Sequence, residues 1–209
     1  MKIIVIGAYG KSGRELVATA EKNGHDVLAV AHRKHADIKF KHELIKSGLD
    51  LTAADIAGYD VIIDAISAWT PDTFPIHTDT AMHIAHLIKG TTTRYIKIGG
   101  AGTMYINDEH TKMLRDWSDY PEANLPLAEV LITNLDRIRS YSDMAWTYVT
   151  PAFNYDPDGK YTGQYQIAGE DMNLNTLLKS YISYKDMAKA IIDLVEQQRY
   201  IRQRIIVLN

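Results

Sequence analysis

Three glycines stand three apart in Gly7-Ala8-Tyr9-Gly10-Lys11-Ser12-Gly13, directly after the apolar run Lys2-Ile3-Ile4-Val5-Ile6. Between a strand and a helix such a turn has a chemical use. The first glycine permits a tight turn, the second lets backbone approach a pyrophosphate, and the third lets the helix pack closely on the strand. The phosphates then rest on the unpaired N–H groups of the helix N-terminus. The spacing is G-x-x-G-x-x-G rather than G-x-G-x-x-G, so the placement between strand and helix carries more weight than the triplet itself. Residues 7–13 are the expected phosphate cradle of a dinucleotide, and a structural turn without a ligand is the competing reading.

Which dinucleotide depends on the end of the second strand. An acidic residue about 20 positions on would bond the ribose 2′-hydroxyl of NAD, whereas an arginine would accept the 2′-phosphate of NADP. Counting from Gly13, that place holds Arg33, flanked by His32 and Lys34. No carboxylate stands at that strand end, since Asp26 begins the strand. The forked guanidinium suits a phosphate, so Arg33 and Lys34 favour NADP(H) over NAD(H), with a solvated pair of loop charges as the alternative.

These residues need a frame, and the order of elements supplies one. Ile3–Ile6 reads as a strand buried on both faces, and Lys11 to Asn23 as a helix stopped by Gly24. Asp26–Ala31 is a second strand. Residues 34–58 are charged and His-rich, with a short strand near Glu43–Ile45 as their one readable element. Asp60–Ile66 and Thr92–Ile98 are further strands around a helix near Thr78–Lys89. Pro126 opens a helix to about Ser140, and Ala145–Val149 is a strand ending at Thr150-Pro151. Ser183-Tyr184-Lys185-Asp186 is a capping box before a helix striped by Met187, Ala190, Ile191, Leu194 and Val195. Arg204–Leu208 closes the chain. Strands alternating with helices predict an α/β fold, a Rossmann-type doubly wound parallel sheet in a single domain over 1–209.

Composition bounds the partners. The chain has 209 residues, a formal net charge of -3 and no cysteine, so thiolate chemistry is excluded and no basic surface calls for nucleic acid or membrane. The apolar run after Met1-Lys2 is far shorter than a secretory signal, and no later run approaches a membrane span. The expectation is a cytoplasmic protein, a monomer or small homo-oligomer, acting on a small molecule.

Several segments in order resemble the atypical short-chain dehydrogenase/reductase proteins grouped around biliverdin reductase B, also called NADH-flavin reductase-like or NAD(P)H-binding. They are GAYGKSG, the AHR strand end, DVIIDAISAW, IKIGGAGTMY, WTYVTPA and the ISY before the last helix. The resemblance spans essentially the whole chain. It implies a Rossmann fold, bound NAD(P)H, and hydride transfer to a flat conjugated acceptor, with flavin as a substrate. It also implies that Ala65, Ile66 and Ser67 run along the cofactor's riboses and that Pro151 flanks the nicotinamide. The segment Gly99–Thr103, with Gly100 on the substrate side, falls where typical members carry a catalytic serine, and Thr103 is its nearest hydroxyl; a turn hydroxyl bonding local backbone is the other reading of Thr103. Family members often place an acidic residue for adenine where this chain has Ser47.

Typical short-chain dehydrogenases carry Tyr-x-x-x-Lys on the helix before the sixth strand. Here that helix, Leu127–Ser140, has no tyrosine, and the one matching pattern, Tyr181 to Lys185, straddles the Ser183 cap. Reducing a flavin asks less of the protein than reducing a carbonyl, because the cofactor supplies the hydride and the acceptor nitrogen takes a proton from water or a weak acid. Trp69, Tyr105, Phe153 and Tyr155 are candidate walls for such a ring, though each would serve equally as an ordinary core or rim aromatic. His77, His83 and His86 suggest a metal only superficially, since His83 and His86 face away from the apolar stripe of their helix. No metal is expected. The polar stretch 155–173 is expected to form a hairpin lid, and the substrate side to comprise mainly 100–125 and 151–180. The reading is an NADPH-dependent reductase of a flavin-like or quinone-like acceptor. A non-catalytic NADP(H)-binding regulator of the NmrA-like type is the alternative, and a nucleotide-sugar epimerase or dehydratase is disfavoured.

Overall fold

Ile3, Ile4, Val5 and Ile6 are all buried, because β1 (Lys2–Ile6) is paired on both sides and covered on both faces. A strand so placed must read as a continuous apolar run. The computed structural model, which describes residues 1–170 and 174–209, builds outward from it. After the glycine turn come α1 (Lys11–Lys22), β2 (Asp26–Ala31), β3 (Glu43–Ile45), the short α2 (Ala53–Ile56), β4 (Val61–Asp64) and α3 (Pro75–Ile88). β5 (Arg94–Ile98), α4 (Leu125–Arg139), β6 (Ala145–Pro151), β7 (Asn154–Asp156) and β8 (Gln166–Ala168) follow. α5 (Leu174–Lys179), β9 (Tyr181–Ser183), α6 (Tyr184–Gln197) and β10 (Gln203–Leu208) complete the chain.

The main sheet has eight strands in the order β3-β2-β1-β4-β5-β6-β10-β8. Every neighbouring pair is parallel except β10 with β8. The chain winds from β1 out to β3 and then crosses back to β4, so the strand order reverses between β1 and β4. In such sheets ligands collect beyond the carboxyl ends of the strands at that reversal. Helices α1 and α6 pack together on one face, and α3 and α4 on the other. Leu16, Val17 and Ala20 meet Ile191 and Val195 in the first layer, while Ala81, Ile84 and Ile88 meet Leu135 and Ile138 in the second. The expected Rossmann fold is the observed one. Among the described residues no helix is long and apolar enough to cross a membrane.

Three local readings change. Helix α3 starts at Pro75, one turn's worth of residues before Thr78, with the proline in the first turn where its missing N–H costs nothing. Strand β6 runs on through Thr150 to Pro151, which pairs with Val207 of β10. Among the described residues of 155–173 the expected hairpin is not formed. Strand β7 pairs with β9 in a small parallel sheet, and β8 joins the edge of the main sheet on β10.

The segment between them is tied down by buried Asp186, which is fully shielded from solvent. Its carboxylate accepts the N–H groups of Thr162 and Gly163 and the hydroxyls of Thr162 and Ser183. Ser183 does cap α6, accepting the Asp186 N–H at 3.0 Å. The acid of the expected capping box turns instead to the loop. Residues 171–173, the end of the stretch expected as a lid, lie outside the described residues.

Candidate cofactor and substrate site

The glycine loop is built as a cradle. Gly7 has φ +81°, and a Cβ there would lie 2.8 Å from the Ala65 carbonyl oxygen. A Cβ on Gly13 would lie 2.2 Å from the Gly7 carbonyl oxygen, so α1 could not approach the turn with any side chain at that position. Gly10 is the N-cap of α1 and offers no side-chain cap, and no acidic residue stands in the first turn. The first N–H to bond back into the helix is that of Arg14, at 3.0 Å from the Gly10 carbonyl. The opening turn thus keeps its partial positive charge and N–H donors for an anion. Close backbone approach, vacant donors and absent acid together fit the pyrophosphate of a dinucleotide.

Beyond this loop lies a cleft of about 300 Å³ between the strand ends. Ser12, Ala65, Ile66, Ser67, Trp69, Gly100, Pro151, Phe153 and Tyr155, all expected site residues, line it together. Helix α4 adds Leu127 and Leu131, and Tyr120 and Tyr184 complete the wall. The Tyr155 hydroxyl shares a 2.8 Å hydrogen bond with Ser12 Oγ, and its ring lies 3.9 Å from that of Tyr184. Burial holds the Tyr155 phenol above its ordinary pKa, against the lowering pull of the Ser12 bond, so it is a neutral hydroxyl at physiological pH. Trp69 stands at the mouth, 69% exposed. The run Gly99-Gly100-Ala101-Gly102 owes its smallness to packing. A Cβ on Gly99 would fall 2.0 Å from the Tyr148 ring, one on Gly100 2.7 Å from Leu131, and one on Gly102 2.5 Å from the Tyr120 hydroxyl.

Buried polar groups hold the cleft's 65–69 wall from below. Asp64 Oδ1 accepts the Ile66 N–H at 2.9 Å, and Asp64 Oδ2 accepts the Tyr95 hydroxyl at 2.7 Å. His77 Nε2 lies 3.1 Å from the Ala68 carbonyl oxygen and 3.3 Å from the Ala68 nitrogen. Burial, and next the charge of Lys97, push the His77 imidazole down to a pKa of about 4. It is therefore neutral at physiological pH, a fastener of the Ala68 backbone rather than an acid.

Other expected site residues lie elsewhere. Thr103 is fully buried, and its hydroxyl donates to the Gly100 carbonyl at 2.9 Å; it is the turn hydroxyl of the competing reading. Tyr105 stacks on His110 with ring centroids 4.3 Å apart and lies under the Arg204 guanidinium, away from the cleft. Thr103 ends and Tyr105 follows the 3-10 turn Ala101–Thr103, which buries Thr103 and carries the chain out of the cleft after Gly102. Ala8 is buried and Lys11 exposed at the start of α1. Tyr9 leaves the loop in the opposite direction, donating to Glu43 Oε2 at 2.6 Å and packing on His35 and Phe40.

Arg33 and Lys34 are exposed just beyond β2, as expected. The absence of a nearby carboxylate does not survive folding, because β3 places Glu43 where it binds the Lys34 ammonium. Ser47 caps the 3-10 turn Gly48–Asp50. Asp55 completes a capping box with Thr52 and, bonded by Lys46 and Thr52, has its pKa held at about 2. His86 is exposed, whereas His83 is half-buried and its Nε2 bonds the Leu51 carbonyl at 2.7 Å. Among the described residues no group of three or more metal-ligating side chains gathers. Tyr181 lies on β9, bonded to Asp156 at 3.0 Å, while Lys185 is in the first turn of α6.

Sequence reasoning missed the roles of His77, Glu43, Tyr120 and Tyr184 at the site. A signal existed for His77: it is in step with Ala81, Ile84 and Ile88 at helical spacing, but starting the helix at Thr78 excluded it. Glu43 left no signal, since its role depends on strand pairing across the sheet.

The fold and cleft define a Rossmann-type nucleotide-binding protein. Residues 7–198 match the family described as NAD(P)H-binding, and the chain belongs to that family. A Bacillus subtilis protein of uncharacterised function, YwnB, is 33% identical over 212 residues, spanning 100% of this chain and 99% of its own. Among solved structures, a Streptococcus pneumoniae protein described as a "putative NADH-flavin reductase" is 38% identical, with TM-score 0.94 over 100% of this chain and 99% of its own. A Bacteroides thetaiotaomicron protein described as a "putative epimerase" is 27% identical, with TM-score 0.83 over 99% and 96% of the two chains.

Proposed function

We propose that the protein is an NADPH-dependent reductase that passes hydride to a flat, conjugated acceptor, a flavin or a quinone. The observation that carries this is the cleft itself. An aromatic-walled space of about 300 Å³ opens from the phosphate cradle and holds no charged side chain among its lining residues, which suits two stacked rings. The residues at hand divide the work. The N–H groups at 11–13 and Ser12 would hold the pyrophosphate, and Arg33 the 2′-phosphate. The 65–67 wall would run along the riboses, with Pro151 beside the nicotinamide. Trp69, Phe153 and Tyr155 would face the acceptor, on the side formed by 100–125 and 151–180. The bound cofactor supplies the hydride, and the protein's share is binding, orientation and exclusion of water.

The Tyr-x-x-x-Lys pair plays no part in this reading. Helix α4 has no tyrosine, and Tyr181 and Lys185 belong to different elements. Tyr155 is a neutral hydroxyl within the cleft, as are those of Tyr120 and Tyr184, and among the described residues no lysine lines it. That favours an acceptor needing no strong protein acid. The test is NADPH oxidation, followed by absorbance, with FMN, FAD, biliverdin and quinones as acceptors. Turnover with at least one is expected. Tight NADPH binding without oxidation across the panel would replace this reading with that of an NADP(H)-binding regulator.

A further inference from the structure

Glu43 is a carboxylate that the fold brings against the loop where the two cofactors are expected to differ. It sits on β3, in register with Ala29 of β2, and its side chain is about a quarter exposed. One oxygen accepts the Tyr9 hydroxyl at 2.6 Å, and the other takes the Lys34 ammonium. The first partner belongs to the phosphate cradle and the second to the loop expected to receive the 2′-phosphate. The bond from Lys34, and next that from Tyr9, hold the Glu43 carboxyl below its ordinary pKa, so it is an anion at physiological pH.

We infer that Glu43 sets the cofactor preference of this protein, by engaging Lys34 and placing a negative charge where a 2′-phosphate would sit. This inference rests on the reading of Arg33 and Lys34 as the 2′-phosphate site. A phosphate arriving there must share the Lys34 ammonium with a carboxylate and approach that carboxylate's charge. A ribose 2′-hydroxyl meets neither cost. Arg33 attracts the phosphate, Glu43 opposes it, and the selectivity is the difference between the two. Tyr9 keeps the carboxylate in place by donating to it from the cradle, which couples the phosphate loop to the selectivity loop through a single side chain.

The experiment is equilibrium titration of the full chain with NADPH and NADH, read by fluorescence, in wild type and Glu43→Gln. Glutamine keeps an acceptor for Tyr9 and removes the charge. The ratio of NADPH to NADH affinity is expected to rise about fivefold or more in the variant, and the gain to shrink at high salt, because partly exposed charges are screened. Lys34→Gln should cost more NADPH affinity in the Glu43→Gln background than in the wild type, where the ammonium is already shared. Thermal melting checks folding, and Glu43→Ala makes the same comparison should the glutamine variant not fold. If wild type binds NADPH and the ratio is unchanged or falls on removing the charge, Glu43 has no such role. If wild type binds neither nucleotide, the proposed function fails first and this inference falls with it.

Discussion

Lys97 Nζ lies 3.0 Å from Asp64 Oδ1, and both side chains are sealed from solvent at facing register positions of β5 and β4. The pair does more than neutralise itself, because the same Asp64 oxygen accepts the Ile66 N–H that begins the cleft wall. Removing one partner leaves the other charged and buried, which costs about 3–5 kcal/mol, whereas removing both costs much less. Lys97→Met should therefore lower the unfolding free energy in urea by at least about 3 kcal/mol. Asp64→Asn combined with Lys97→Met should lose clearly less than the sum of the single changes. Additive losses would mean that the pair is not coupled.

His77 makes stability depend on pH. Its pKa is lowered from 6.5 to about 4 in the folded protein, so the unfolded chain binds the proton more tightly. The associated stability, at most roughly 3 kcal/mol, is fully present above pH 6.5 and lost as pH falls through 6.5 toward 4. Wild type should lose more stability between pH 7 and pH 5 than His77→Gln does, as judged by urea midpoints. Equal losses would show that His77 is protonated in the folded state as readily as in the unfolded one.

Gly13→Ala should be severe. Its Cβ would overlap the Gly7 carbonyl at 2.2 Å, so α1 must move away from the cradle. The expected outcome is a melting temperature lowered by several degrees, together with nucleotide binding lost beyond measurement. Normal NADPH affinity in a folded variant would show that the cradle tolerates a wider turn than its backbone suggests.

Arg33 and Trp69 give tests that leave the core untouched, because both are exposed. Arg33→Ala should weaken NADPH binding about tenfold and NADH binding hardly at all, since a forked guanidinium–phosphate contact is lost only with the former. Equal losses would place the 2′-phosphate elsewhere. Trp69→Ala should raise the acceptor KM several-fold with kcat, cofactor affinity and melting temperature nearly unchanged, as expected of a stacking surface at the cleft mouth. A fall in kcat alone would argue that Trp69 acts on the reaction rather than on acceptor binding.

Much of this architecture could be read from periodicity, because the period itself is the cause. Ile3–Ile6 is continuous and apolar since both faces are covered, and the stripe Met187, Ala190, Ile191, Leu194, Val195 is wholly buried against α1 and the sheet. Gly7 and Gly13 were legible for the same reason, each being demanded by backbone contact at a fixed offset. What stayed hidden depends on tertiary placement. Thr103 turns its hydroxyl back onto the Gly100 carbonyl, Tyr105 turns away onto His110, and Glu43 meets Lys34 only once β3 pairs with β2. The three-residue strands β7, β8 and β9 are too short to impose a period, and partners elsewhere in the fold create them.

The two borders of the main sheet are β3 and β8, and each is only three residues long. Long exposed borders present rows of unpaired N–H and C=O groups on which another chain can add a strand, and short ones present few. The antiparallel attachment of β8 to β10 matters most here. Without it the six-residue β10, whose last four residues are all apolar, would stand at the border and offer itself as a template. The local sacrifice of parallel order thus protects the molecule against edge-to-edge aggregation.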